Sequence, residues 1–418
     1  MIINDAHKND YMNSIESHFS GDIIIIGQQP WDTEIGSNCK NIALELSKTN
    51  RVLYVNSPLD RITLLRNRND QKIQKRLNVI KKKESGLVKI SENLWNLYPD
   101  CMVESINWIS SHFIFDLANK YNNYKFAVSI KKAIKDLGFT NFLLFNDNEI
   151  FKGFYLKKFL NPKLSIYYSR DFMVAVDYWK KHGEKFEPKL IADSDLCVAN
   201  STFLAEYCRK FNPNSYYVGQ GCDLDIFIKD AYNAPSENFS ADQRPVIGYV
   251  GALQSIRLDI EILAHIAIAR PEWTILLVGP EDEQFKASRL HSIPNIIFTG
   301  IKPISELPDY IHYFDICINP QLVNEVTIGN YPRKIDEYLA LGKPVIATAT
   351  KAMETFGDFV YLAHSKEDYV TLIEKALIEN SLHEQAGRKE FALEHTWENS
   401  VAAIYNAINL TSPKRDLH

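Results

Sequence analysis

The chain has 418 residues, enough for two sizeable cores at the usual ~100–200 residues per domain. A hydrophobic content of 45% argues against a disordered chain, and a net charge of -5 argues against a general nucleic-acid binder. Six cysteines (Cys39, Cys101, Cys197, Cys208, Cys222, Cys317) lack Cys-x-x-Cys spacing, so neither a zinc site nor a disulfide framework is expected, and a reducing cytoplasm fits.

Residues 1–20 are polar with both signs of charge, unlike a signal peptide. Asp22-Ile-Ile-Ile-Ile-Gly27 is a continuous apolar run ending in Gly, the pattern of a strand buried on both faces of a parallel sheet. It is far shorter than the ~20 residues of a membrane-spanning helix, so the expectation is a soluble protein, at most peripheral at the inner face of the cell membrane. Asn38 to Ser47 reads as a helix and Arg51-Val-Leu-Tyr-Val-Asn56 as the next strand, together a right-handed βαβ unit. Residues 60–84 are rich in Arg and Lys. Buried strands return at Phe142–Phe145, Leu164–Tyr168, Asp195–Ala199 and Ser215–Val218.

The polar stretch around 236–244 reads as a linker. Alternation then restarts. Strands are predicted at Val246–Val250, Thr274–Val278, Ile296–Phe298, Asp315–Ile318 and Val345–Thr348. Helices are predicted at Asp259–Ile268 and after Ser305, read as a cap with Pro308 in the first turn. Two serial α/β halves predict two Rossmann-like domains facing a central cleft. The boundaries are a tail over 1–20, a first domain over 21–235, a linker over 236–244, a second domain over 245–395, and a C-terminal segment over 396–418 that returns to the first domain.

One segment carries chemistry: Asn324-Glu-Val-Thr-Ile-Gly-Asn-Tyr-Pro-Arg-Lys-Ile-Asp-Glu-Tyr-Leu-Ala-Leu-Gly-Lys-Pro-Val-Ile-Ala-Thr348. Pro332 suits a first helical position, Gly342 a left-handed cap, and Pro344 forbids continuation. Arg333 and Lys334 stand at the helix start, where free N–H groups favour anions. Glu337, one turn on, is placed for sugar hydroxyls. Cations for a pyrophosphate and a carboxylate for a ribose together suit a nucleotide sugar.

This segment resembles the donor-binding motif of retaining GT-B glycosyltransferases, the "group 1" family. Lys334, Glu337 and Glu337-Tyr-Leu-Ala-Leu-Gly-Lys-Pro-Val345 match that motif. Many members have a second Glu where Gly329 stands here. Asn324-Glu325-x-Thr327 instead resembles a subgroup with Asn-Glu-Leu-Thr before the helix. Gly219-Gln-Gly-Cys-Asp223 resembles the turn that closes the first domain, with Gln220 for the usual Asn. The likeness is specific in the second half and loose between residues 60 and 140.

The resemblance implies a nucleoside diphosphate sugar as co-substrate, with UDP or GDP as the base, and no cofactor. It implies a glycan or lipid-linked acceptor in polysaccharide or cell-surface glycan synthesis, and no nucleic-acid partner. Donor contacts are expected from Gly251, Gly279, Pro280, Ile301, Asn324, Glu325, Thr327, Lys334 and Glu337, with Arg257 as a second pyrophosphate cation. Gly27, Gln28, Trp31 and Asp32 follow the first strand and are acceptor candidates; Trp31 stacks on a sugar or simply packs. Asp171 projects into the cleft, to orient the acceptor, to bind a sugar hydroxyl or to stabilise an oxocarbenium-like centre; a capping role is the alternative. Asp171, Lys334 and Arg257 are the catalytic candidates.

Asp223-Leu-Asp225 has metal-pair spacing but lies in the interdomain turn, and no metal is expected. His182 reads as a solvated residue beside Lys180 and Lys181. Basic residues between Arg61 and Lys83 suit an anionic membrane surface, with a solvated helix or loop as the alternative. Trp108, Phe113, Ile114 and Phe115 are expected in the core, with an apolar patch adjoining that basic stretch as the alternative. Two other functions fit the same fold: a catalytically silent sugar-nucleotide-binding subunit, and a sugar-nucleotide 2-epimerase.

Overall fold

A computed structural model of the chain describes residues 19, 21–33, 37–229, 231–235 and 244–411. The expected tail, apart from Phe19, and the expected linker, apart from Arg244, lie outside the described residues, as do residues 412–418.

The first half carries β1 (Asp22–Gly27), β2 (Arg51–Asn56), β3 (Leu59–Asp60), β4 (Leu87–Lys89), β5 (Leu94–Leu97), β6 (Met102–Val103), β7 (Leu143–Asp147), β8 (Leu164–Ser169), β9 (Leu196–Ala199) and β10 (Ser215–Tyr217). Eight of these form one sheet in the order β10-β9-β8-β7-β1-β2-β5-β4, while β3 pairs only with β6. The large sheet is parallel except for β4 against β5. The four isoleucines of β1 are fully covered, as the apolar run requires of a central strand with helices on both faces. Each contributes ~1.5–3 kcal/mol by leaving water.

The second half carries β11 (Val246–Val250), β12 (Thr274–Val278), β13 (Ile296–Gly300), β14 (Ile316–Asn319), β15 (Val345–Thr348) and β16 (Tyr361–Ala363), all parallel in the order β13-β12-β11-β14-β15-β16. In both sheets the chain fills one side and then crosses to the other. The reversal falls between β1 and β7 in the first sheet, and between β11 and β14 in the second. Ligands bind in open α/β sheets at the carboxyl ends of strands beside such a reversal.

The chain passes between the halves near Cys222 and back near His395. These two passages pair as a short bridge, with the Cys222 amide donating to the His395 carbonyl at 2.9 Å. After the return, helix Trp397–Thr411 lays Val401, Ile404, Tyr405, Ala407 and Ile408 into the same core as Ile23, Ile25 and Phe145. Gln220 does the structural work of an Asn there: its side-chain carbonyl accepts from Asn38 at 2.7 Å and from Asn200 at 2.8 Å.

Three local expectations are corrected. Helix Lys334–Ala340 starts two residues after Pro332, which belongs to the lead-in turn. Ser305 caps nothing: it lies in a 3-10 turn, Ile304–Glu306, and the next helix, Leu307–Tyr313, begins without a side-chain cap. A helix of 26 residues, His112–Leu137, fills a stretch in which no element was expected.

Candidate active site

On the second half, the carboxyl ends of β11 and β12 are two nested glycine turns. Gly251 has φ 143° and Gly279 has φ 146°, conformations that side chains rarely adopt. A Cβ on Gly279 would lie 2.0 Å from the Gly251 carbonyl oxygen, so the close approach itself demands glycine. Lys334, the first residue of its helix, brings its ammonium group to this turn: a Cβ on Gly251 would sit 2.7 Å from Lys334 Nζ. The ammonium stands 4.0 Å from the Tyr249 ring centroid and hydrogen-bonds the Tyr249 hydroxyl. The Val250 amide donates to the buried Tyr338 hydroxyl at 2.8 Å, which locks the helix to the strand end. The helix has only seven residues, so the fixed ammonium at the glycine turn weighs more than its dipole.

Glu337 is half-buried one turn further on, and its carboxylate makes no hydrogen bond or ion pair with another described residue. Burial raises its pKa, while Arg333 and Lys334 pull it down. Pro280 and Ile301 are exposed beyond the ends of β12 and β13, next to Gly279 and Gly300.

The loop before the helix is built differently from what its motif suggested. Thr327 is 1% exposed, and its hydroxyl donates to the Leu322 carbonyl of its own loop. The Asn324 side-chain oxygen accepts from the amides of Val326 and Thr327, and its amide group donates to the Ile256 carbonyl at 2.9 Å. The direct donor contact expected of Thr327 therefore gives way to shaping the loop beside Arg257. Glu325 points to the first half, where Lys180 lies 3.4 Å away. Gly329 presses on the first half as well. Ser201 Oγ donates to its carbonyl at 3.0 Å, and a Cβ there would lie 2.6 Å from the Phe203 ring. A glutamate has no room at this position.

Across the cleft, the first half presents a network of side chains. Asp147, fully buried at the end of β7, accepts from Arg170 Nε at 2.8 Å. Arg170 also donates to Asp171 at 2.6 Å and to the Gln28 side-chain carbonyl at 2.7 Å. Asn148, in a left-handed conformation with φ 54°, accepts from the amides of Arg170 and Asp171 at 2.9 and 3.0 Å. Asp171 keeps 38% of its side-chain surface open. Burial by the cleft walls raises its pKa, whereas the positive charges of Arg170 and Arg257 lower it. Arg257 belongs to the second half, so its field reaches Asp171 across the cleft.

The remaining acceptor candidates divide. Gly27 is buried because the Tyr54 hydroxyl occupies the space of a Cβ, 2.2 Å from where one would be. Close packing against Tyr54 therefore requires glycine at this position. Trp31 is half-buried against Tyr54, with Lys40 Nζ 5.1 Å from its ring centroid. Asp32 holds Arg76 in a two-pronged pair at 2.8 and 2.9 Å. Arg76 is accordingly buried and leaves the set of surface cations expected between Arg61 and Lys83. Gln28 stays in the cleft.

Two more expectations are overturned. His182 is buried, stacked on Phe115 at 3.7 Å and bonded to the Ile109 carbonyl at 2.9 Å; burial lowers its pKa. Trp108, Phe113 and Ile114 are exposed, and only Phe115 of that group enters the core. Sequence reasoning missed Asp147, Asn148 and Arg170. The signal was present as Asn146-Asp-Asn-Glu149, a polar run closing a buried strand at the ligand-binding end of the sheet.

The family profile described as "Glycosyl transferases group 1" matches residues 244–378, from the start of β11 through most of helix Lys366–Glu379. A Bacillus subtilis (strain 168) protein, TuaH, which carries the provisional name of a teichuronic acid biosynthesis glycosyltransferase, is 26% identical over 214 residues. That match spans about half of each chain, 49% of this one and 54% of the relative. Sucrose-phosphate synthase from Thermosynechococcus elongatus superposes with a TM-score of 0.64 at 15% identity, over 94% of this chain and 100% of that one. Anabaena HepE, solved in complex with UDP and glucose, gives a TM-score of 0.58 at 13% identity, over 93% of this chain and 100% of that one. No helix among the described residues is long and apolar enough to cross a membrane. The fold is GT-B, and residues 244–378 of the second half match the family model of the glycosyl transferases group 1.

Proposed function

We propose that this protein transfers a glycosyl group from a nucleoside diphosphate sugar to a glycan or lipid-linked acceptor, with retention of anomeric configuration. The observation that carries this reading is the seat of Lys334: a fixed ammonium group at a glycine turn, with the uncommitted carboxylate of Glu337 one helical turn away. The turn admits a pyrophosphate close to backbone, Lys334 and Arg257 neutralise it, and Glu337 accepts hydrogen bonds from the ribose. Ile301 and Pro280 border the nucleobase and sugar. Asn324 and Glu325 shape the loop that covers the donor.

In the reaction the bond from the anomeric carbon to the β-phosphate oxygen breaks, and the acceptor oxygen bonds to that carbon on the same face. The acceptor's proton passes to the departing phosphate. Negative charge grows on the leaving group, so Lys334 and Arg257 stabilise the transition state more than the ground state. Asp171, held by Arg170 and Asn148, faces the reacting centre from the other wall, with Gln28, Trp31 and Asp32 on the acceptor side. Exposed cations between Arg61 and Lys83 support a peripheral contact with anionic membrane, where a lipid-linked acceptor resides.

HepE binds UDP, which makes UDP the first base to test and GDP the second. Calorimetric titration with both nucleotides, followed by donor turnover with and without acceptor, tests the proposal. Tight UDP or GDP binding with acceptor-dependent turnover supports it. Binding without any turnover would favour the silent-subunit reading, and turnover to an epimer without acceptor would favour the epimerase.

A further inference from the structure

Helix His112–Leu137 carries apolar side chains on both faces: Phe115, Phe126, Ala127, Ile130 and Ala133 are buried on its inner side. Its inner face buries three asparagines, Asn119, Asn122 and Asn123, while Phe113, Ile114, Leu117, Tyr121, Tyr124 and Val128 lie outward. Their exposure runs from 50% at Val128 to 72% at Phe113. At 3.6 residues per turn these six side chains fall within an arc of ~100° and form a stripe roughly 22 Å long. Scattered exposed apolar residues are ordinary, but a continuous stripe of this kind marks an interaction surface. Trp108, 74% exposed, sits in the loop that leads into the helix.

Charge says what the stripe meets. Lys131 and Lys135 continue the same outward arc over the last turns and Lys120 flanks it, while Lys132 pairs with Asp100 at 3.3 Å. Against them stand Asp116, whose carboxylate is taken by the Tyr155 hydroxyl at 2.6 Å, and the exposed Asp136. The neighbouring helix Arg61–Arg66 adds exposed Ile62 and Leu65 beside Arg66. It is tied to the loop before the stripe through the Ile62 amide donating to Ser105 at 3.2 Å and through the Arg61–Glu104 pair. Aromatic and aliphatic side chains edged by lysines suit the boundary between acyl chains and anionic headgroups.

The inner face of the same helix lines a cavity of about 270 Å³ that also touches Gln28. Phe115 and Asn119 form part of its wall, with Tyr178 and Trp179 opposite. The helix therefore separates the exposed stripe from a cavity that reaches the proposed acceptor side.

We propose that the stripe Phe113–Val128 docks this protein on an anionic lipid bilayer, lying flat in the headgroup boundary. This deepens the membrane contact proposed above by moving its anchor from the cations of residues 61–83 to an apolar face, and it rests on that reading only for the purpose of the contact.

The test is flotation of the purified full chain with vesicles of phosphatidylcholine alone, and with vesicles in which a third of the lipid is phosphatidylglycerol. Wild type should float with the anionic vesicles, and less so as salt rises. Phe113→Ser with Leu117→Ser and Tyr121→Ser should weaken that binding by about tenfold or more while leaving UDP or GDP affinity unchanged. Lys131→Glu with Lys135→Glu should abolish the preference for anionic vesicles. If the triple variant does not fold, Leu117→Asp alone should still give a clear loss. Equal flotation of wild type and the stripe variants overturns the anchor but keeps the membrane contact. No flotation of wild type overturns both. A dimer in light scattering that the stripe variants dissolve would assign the stripe to a second copy of the chain and overturn the proposal. None of these outcomes bears on nucleotide binding, which reports the donor site separately.

Discussion

The two walls of the cleft reach similar ends by different means. The second half builds its wall from backbone: two nested glycine turns bring the chain close together at the ends of β11 and β12, and a single lysine is fixed above them. The first half builds its wall from side chains, with Asp147, Arg170, Asp171, Gln28 and Asn148 holding one another. A backbone wall suits a ligand part that is always the same, such as a pyrophosphate. A side-chain wall can be changed residue by residue, which suits an acceptor that differs between enzymes.

The strongest way to break this contrast is Lys334→Ala. It removes the one preorganised charge that the backbone wall positions, and turnover at saturating donor should fall by ~10²-fold or more. Steady-state kinetics on the folded variant checks it, and near-normal turnover would return the helix to a purely structural role. Arg257→Ala should give a smaller loss in the same assay.

Glu337→Ala should cost ~1.5–3 kcal/mol of nucleotide affinity, the scale of a lost charged hydrogen bond. Calorimetry with the preferred nucleotide measures this, and unchanged affinity would remove Glu337 from the donor site.

Asn148→Gly sharpens the comparison from the other wall. Glycine keeps the left-handed backbone but loses the carbonyl that holds the Arg170 and Asp171 amides. Turnover should drop by about tenfold through misplacement of Asp171, with nucleotide affinity unaltered. A parallel fall in nucleotide affinity would mean that the two walls are not independent.

The smallest effect concerns stability. Glu187 is buried, and burial raises its pKa to about 7 despite hydrogen bonds from Tyr167 and Tyr207. The folded protein thus holds a proton that the unfolded chain releases near pH 4.5. The resulting stabilisation is full below that value and is lost as pH rises through about 7. Glu187→Gln removes the charge; its carbonyl oxygen still accepts from one tyrosine, and its NH2 group donates to the hydroxyl of the other. Its melting temperature should match wild type near pH 4 and exceed it at pH 8, by roughly 1–3 kcal/mol in stability. Equal melting curves at pH 8 would show the carboxylate to be better solvated than its burial implies.

The sequence was readable where the physics is local. Continuous apolar runs located β1, β2, β11, β12 and β15 to within a residue, because strands buried on both faces carry no polar interruption. Asp259 and Ser37 cap their helices through their own side chains. Gly342 takes the left-handed turn that ends helix Lys334–Ala340. Helix His112–Leu137 escaped notice because asparagines on its inner face and aromatics on its outer face cancel the usual amphipathic signal. In the candidate site, Lys334 and Glu337 were legible from spacing. The Asp147–Arg170–Asn148 network was not, because its members come from two strand ends that only the sheet order brings together. Thr327 misled for the opposite reason: its motif is local, but its hydroxyl is spent inside the loop.

The paired passages at Cys222 and His395 make the second half an insertion within the first. Helix Trp397–Thr411 completes a core begun more than 370 residues earlier at Ile23 and Ile25. Truncation of the gene just before Trp397 would therefore leave the distant N-terminal sheet uncovered, while the segment from Val246 to Leu393 would lose little. Fragments for expression should follow that nesting: the inner segment excised as a single piece, and the outer segment rebuilt by joining its two separated parts through a short linker across the bridge at Cys222 and Thr396.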